Sequence, residues 1–437
     1  MIASHESSFR QADRARWAVL GAVIAAAVFM LSWAVLHRGF YAGYQIVDTP
    51  VYQKYGDWVA TGQVPYRDFR PEYPPVALPV FVAPSLVASA GAPLEEYSRA
   101  FETLMAICGA TAVALVAVTL RSLGASVARL AAALVFAALA PLALGTVVLS
   151  RFDLWPAALT IGALAAFVAG RERLGAGVAG LAVAAKLYPG VLVPLAAAWV
   201  WRRYGRREAL VCGGIFLAVV AACFVPFVLL APEGVAASLG RQLSRPLQIE
   251  SLGSAVLLAL GLDVEMESGH GSQNIAGTPG LVVGIMATFA QGAALLGLWV
   301  AFARGPMERE RLVRFSAAAV LAFVAFGKVL SPQFLIWLIP LVPLVRGRRG
   351  LAASGLLALS LILTQIWFPF RYWDFALTFD TTLSWLVLAR DVALVSALAV
   401  LVWPPRGVGR ELARAAKRNR DRVGQAAPAA PATLVRR

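Results

Sequence analysis

The chain has 437 residues, 59% of them hydrophobic and 14% charged, with a mean hydropathy of +0.72. A soluble domain of this length does not reach such values, so soluble enzyme and binding-module classes are excluded. The net charge of +15 is spread over short loops and a tail, a distribution that argues against nucleic acid as a partner.

The first apolar segment, Trp17 to Leu36, follows Arg10, Arg14 and Arg16. At roughly 20 residues it is long enough to cross a bilayer. It is too long for a secretory h-region and lacks a small-residue cleavage site, so a retained signal anchor is expected. Further apolar segments follow near 75–91, 99–120, 127–149, 154–170, 174–185, 190–201, 209–231, 279–303, 313–327, 333–345, 351–369 and 382–403. Two chain ends on one side require an even number of crossings. The segment 75–91, short and opening on paired prolines, is taken as a partial element. The expected fold is all-α, a polytopic bundle of about 12 transmembrane helices occupying 17–403.

Arginines cluster in short loops: Arg202, Arg203, Arg206 and Arg207; Arg304, Arg309, Arg311 and Arg314; Arg346, Arg348 and Arg349. The positive-inside rule places these loops, the 1–16 segment and the 404–437 tail in the cytoplasm, with the protein in the plasma membrane. The tail carries nine basic residues against Glu411 and Asp421. It is expected to be disordered and to contact membrane lipids.

The remaining loops face outward and collect the unusual polar residues. Loop 37–75 carries Asp48, Tyr52, Asp57, Tyr66, Arg67, Asp68, Glu72 and Tyr73. Later loops add Arg151 and Asp153, Lys186, Arg241, Arg245, Gln248 and Glu250, then Lys328 and Gln333, and last Arg371, Tyr372 and Asp374. Lys186 and Lys328 each stand beside a proline break at the edge of an apolar segment. A charge inside a membrane costs on the order of 2.5–3.5 kcal/mol by insertion scales. A bound anion, a partner carboxylate or snorkelling to the interface offsets that cost.

Carboxylates facing cations at a membrane edge suit a lipid phosphate as leaving group, with lysine and arginine neutralising the charge that develops. No outward loop holds an Asp-x-Asp triplet, and His37 and His270 are isolated. Asp263, Glu265 and Glu267 read as a solvated acidic patch, and Cys108, Cys212 and Cys223 as packing residues. No metal or other cofactor is expected. Plainer readings compete: Asp48 caps a short helix, the loop tyrosines form an interfacial aromatic belt, and Arg67–Asp68 and Arg151–Asp153 are structural ion pairs.

The order Asp48…Tyr52…Gly62…Pro65-Tyr66-Arg67-Asp68-Phe69…Glu72-Tyr73-Pro74-Pro75 resembles the first periplasmic loop of glycosyltransferase family 87. Arg151-Phe152-Asp153, Gly175 to Gly180, Lys186-Leu187-Tyr188-Pro189, Arg245 to Ser251, and Lys328…Ser331-Pro332-Gln333…Trp337…Pro340 follow in the same sense. The resemblance implies a GT-C-type membrane enzyme with Asp48 as catalytic base. It also implies a polyprenyl-phosphate sugar as donor, most readily mannose, and a lipid or glycan as acceptor. Two rival classes remain. A transporter or flippase would show an internal repeat with charges near the midplane. A polysaccharide polymerase or ligase would carry its largest functional loop late in the chain.

Overall fold

The computed structural model describes residues 2–403, with the backbone alone for 2–15. The basic tail 404–437 and the side chains of the first segment lie outside the described residues. Residues 2–401 form one compact unit.

The chain runs back and forth between two ends. Helix α1 (Ile2–Val35) leads to the second end, where α2 (Thr49–Ala60) and α3 (Leu78–Ala88) pack side by side. The next helices are α4 (Leu94–Ser122), α5 (Val127–Leu144), a single turn α6 (Val147–Ser150), α7 (Leu154–Val168) and α8 (Glu172–Ala185). A 3-10 turn at Tyr188–Leu192 opens α9 (Val193–Tyr204), and α10 (Arg206–Leu230) follows. At the second end lie α11 (Pro232–Leu243), α12 (Leu252–Ala259) and a hairpin of β1 (Met266–Gly269) and β2 (Ser272–Ile275), with Met266 opposite Ile275. Helices α13 (Gly277–Arg304) and α14 (Arg309–Ala325) come next, then 3-10 turns at Pro332–Trp337 and Val342–Leu344. The chain closes with α15 (Gly347–Trp367), α16 (Tyr372–Thr378) and α17 (Thr381–Val402).

Seven of these helices are long and apolar enough to cross a membrane: Arg16–Val35 of α1, and α4, α5, α10, α13, α15 and α17. Helices α7 (Leu154–Val168), α8, α9 and α14 and the 3-10 stretch Pro332–Leu344 are shorter. Side-chain contacts define the ends. At one end Arg129 grips Glu310 at 2.5 and 2.8 Å, Arg173 grips Glu208 at 2.8 Å, Arg202 donates to the Ala303 carbonyl at 2.5 Å and Arg309 to that of Ser122 at 3.4 Å. At the other, His37 meets Glu102 at 2.7 Å and Tyr41 donates to the Leu142 carbonyl at 2.9 Å.

Segment 75–91 stays at the second end, because Gln53 donates to the Ala92 carbonyl at 2.7 Å and the Gly91 amide donates to Asp57 at 3.2 Å. The segment 333–345 is a continuous apolar run in sequence, yet it forms no α-helix. Pro332, Pro340 and Pro343 remove amide donors and interrupt the α ladder. The 3-10 form rises about 2.0 Å per residue against about 1.5 Å in an α-helix, so a short segment reaches further. Gly205, at φ +89, makes the reversal between α9 and α10 that a side chain would resist.

The first loop is pinned from above. A β-carbon on Gly234 would lie 1.9 Å from the Tyr66 carbonyl oxygen, so only glycine lets α11 press on the loop backbone. Gly234→Ala should destabilise the protein by about 1–3 kcal/mol through overpacking, read as a lower Tm in detergent, whereas Gly240→Ala, with open space around it, should leave Tm at the wild-type value.

Candidate active site

At the second end the loops enclose a cavity of about 580 Å³, within the usual range for a small-molecule site. Asp48, Tyr52, Glu72, Tyr73, Arg151, Asp153, Lys186, Arg241, Arg245, Gln248, Glu250, Lys328 and Gln333 all line it. Tyr66 and Asp68, also expected to bind substrate, are not among its lining residues. Tyr66 adopts φ +68 and turns its ring onto Phe227 at 5.1 Å, while its hydroxyl donates to the Tyr73 carbonyl at 2.7 Å. Asp68 folds back to accept from the Val64 amide at 2.7 Å and from Arg67 at 2.9 Å. The Arg67 and Val64 donors hold its carboxyl down at about 2, so it stays ionised and ties its own loop together.

The four carboxylates in the wall differ in their surroundings. Asp48 sits at the N-cap of α2 but makes no capping hydrogen bond. Its Oδ2 instead pairs with Arg151 Nη1 and accepts from the Tyr52 hydroxyl at 3.4 Å. Its side chain remains 32% exposed, whereas that of Asp153 is 1% exposed. Asp153 accepts from Lys186 Nζ and from Trp337 Nε1, each at 2.6 Å. Glu72 faces Arg241 at 3.5 Å. Glu250 is buried, with Oε2 accepting from Gln248 and Oε1 without a partner among the described residues. Burial pushes its carboxyl up to about 8, against the pull of Arg390, Arg151 and Arg245. Burial thus favours its neutral form, the form that can donate a hydrogen bond.

The cations also divide. Arg151 is buried behind Asp48, its Nη2 donating to the Ile46 carbonyl at 3.3 Å; burial lowers it to about 10, still charged at neutral pH. Lys186 is neutralised by Asp153 and enclosed by the rings of Phe152 at 4.5 Å, Trp337 at 5.1 Å and Phe334 at 5.6 Å. It orders this wall and leaves little charge for an anion. Arg245 has no carboxylate within ion-pair distance among the described residues and its buried Nε is unpartnered. Lys328 donates to the Leu243 carbonyl at 3.0 Å. Neither makes an ion pair among the described residues, although Glu72 and Glu250 lie near enough to Arg245 to act on its charge.

Several contributors escape sequence reasoning. The hairpin places His270, Gly271, Ser272 and Gln273 in the wall, and Tyr372 donates to Gln273 Oε1. Arg390 and Asp391 form a fully buried ion pair inside α17. The signal for that pair is visible: two adjacent opposite charges in an otherwise apolar run.

The model of Glycosyltransferase family 87 matches residues 72–332. The chain belongs to glycosyltransferase family 87. The match takes in the cavity from Glu72 to Pro332, and Asp48 precedes it. Among solved structures the chain is similar to ArnT from Cupriavidus metallidurans in the apo state, at 15% identity and a TM-score of 0.45, covering 89% of this chain and 78% of that one. No curated protein matches it.

Glu250 has a measurable consequence for stability. Between its ordinary value of 4.5 and its folded value of about 8, the folded protein holds a proton that the unfolded chain has released. Its contribution to stability therefore declines as pH rises through that window. Glu250→Gln should lose less Tm than wild type between about pH 5 and pH 8, measured by thermal unfolding in detergent; parallel Tm profiles would contradict the burial effect.

Proposed function

We propose that the protein moves a hexose, most readily mannose, from a polyprenyl-phosphate donor to a lipid-linked or glycan acceptor. The reaction is a single inverting displacement on the outer face of the plasma membrane. The observation that carries this reading is the division of charge around one cavity: Asp48 open on one wall, Arg245 and Lys328 on another.

In this reading Asp48 takes the proton from the acceptor hydroxyl. The acceptor oxygen bonds to the anomeric carbon as the bond from that carbon to the phosphate oxygen breaks. The electron pair leaves with the lipid phosphate, whose growing charge Arg245 and Lys328 stabilise. Arg151 and Tyr52 both contact Oδ2 of Asp48, which fixes the carboxylate and leaves Oδ1 to meet the acceptor. Glu250 and Gln333 provide polar contacts for sugar hydroxyls. The base acts without a covalent sugar intermediate, so a β-linked donor gives an α-linked product.

Asp153 is a weaker base candidate because both of its donors hold it at 2.6 Å in a buried site. A flippase reading finds less support, since the ionisable wall residues collect at one end of the bundle. A polymerase or ligase with a lipid-linked donor shares the same wall chemistry and differs in the donor it accepts.

Asp48→Asn preserves shape and removes basicity, so kcat with a polyprenyl-phosphate sugar should fall by about 10²–10⁴-fold. Near-normal turnover in Asp48→Asn, together with complete loss in Asp153→Asn, would move the base to Asp153. For orientation, cysteines placed at Thr61 and Gly240 should react with a membrane-impermeant thiol reagent in intact cells, while one at Gly205 should not; equal labelling of all three would reject the assigned sidedness.

A further inference from the structure

Arg390 and Asp391 lie in the middle of α17, a helix long and apolar enough to cross a membrane, and both are fully buried. Arg390 Nε approaches Asp391 Oδ1 at 2.6 Å. The contact is an ion pair without hydrogen-bond alignment, and Arg390 Nη1 and both Asp391 oxygens lack hydrogen-bond partners. Packing alone would be served at least as well by apolar side chains of similar volume. The remaining contacts of the guanidinium point to a role beyond packing. Arg390 Nη2 donates to the Glu250 carbonyl at 2.8 Å, while the guanidinium lies 6.0 Å from the Trp367 ring.

The segment that Arg390 reaches is the floor of the cavity. The Gln248 amide donates to the Lys328 carbonyl at 2.9 Å and the Ile249 amide to Gln273 at 3.1 Å. The Gln248 side chain donates to Ser331 Oγ at 3.0 Å. Those bonds tie the segment sideways; the bond from α17 ties it from behind.

We propose that Arg390, ion-paired with Asp391, is a positioning residue that holds the Gln248–Glu250 floor in register for sugar transfer. The proposal rests on the reading that this cavity is where transfer occurs. Arg390 acts through backbone geometry and touches no substrate. Its fork joins one helix to one loop, which lysine cannot reproduce, because a single ammonium cannot pair Asp391 and reach the Glu250 carbonyl with the same planar geometry.

The test uses the full chain in proteoliposomes, with polyprenyl-phosphate mannose as donor and a lipid-linked glycan extract as acceptor. In Arg390→Met and Arg390→Lys, kcat should fall by about 10–100-fold while KM for the donor stays close to wild type, as expected for a displaced floor. Hydrogen exchange should speed up at the amides of 247–251 and stay at wild-type rates in α15. Arg390→Lys should keep a near wild-type Tm, which separates lost reach from lost folding. Wild-type exchange at 247–251 in both variants, or unchanged kcat with accelerated exchange, would overturn the proposal. An inactive wild type with this donor would reject the donor reading, and the exchange data would still decide whether Arg390 holds the floor.

Discussion

The buried contact among Asp153, Lys186 and Trp337 anchors the site. One carboxylate oxygen receives an ammonium and an indole N–H, each at 2.6 Å. This joins the start of α7, the break between α8 and α9, and the 3-10 stretch at 332–337. Trp337 also stacks on Tyr188 at 4.0 Å, whose hydroxyl meets Thr160 at 2.9 Å. Removing one partner from such a pair typically costs about 3–5 kcal/mol because the other charge stays buried. Three breaks in helical structure thus become one rigid wall.

That wall explains why the chain tolerates short and interrupted helices. Helix α8 ends at Ala185 with Lys186 extended at φ −160. The freed backbone lines a cavity and does not face lipid, the circumstance in which irregular backbone is tolerated at membrane depth. The long helices do the opposite: none of the apolar window of α10 is buried inside the protein, and its exposed leucines and valines suit contact with lipid chains. Regular helices meet the membrane, and broken ones meet the cavity.

Environment also gives four carboxylates different work. Asp153 is held by Lys186 and Trp337, Glu72 faces Arg241, burial favours the neutral form of Glu250, and Asp48 is oriented but open. Their separation follows from burial and from which cation each one meets, the general means by which similar side chains acquire distinct roles.

The sequence by itself determined the class of protein, the apolar segments, and the family motifs that the family model matches over residues 72–332, because hydropathy and motif order are local properties. It also located thirteen of the wall residues, since polar groups at breaks in apolar runs are seldom incidental. Tertiary structure alone decided which of them face the cavity. Tyr66 and Asp68 sit in the most polar loop, yet a φ of +68 at Tyr66 and the press of Gly234 turn them away. Lys186 and Lys328 look alike in sequence, but Asp153 neutralises only the first. Arg390 acquires meaning only when α17 folds against residue 250, 140 positions earlier. Charge compensation and side-chain direction depend on neighbours distant in the chain, and folding alone supplies those neighbours.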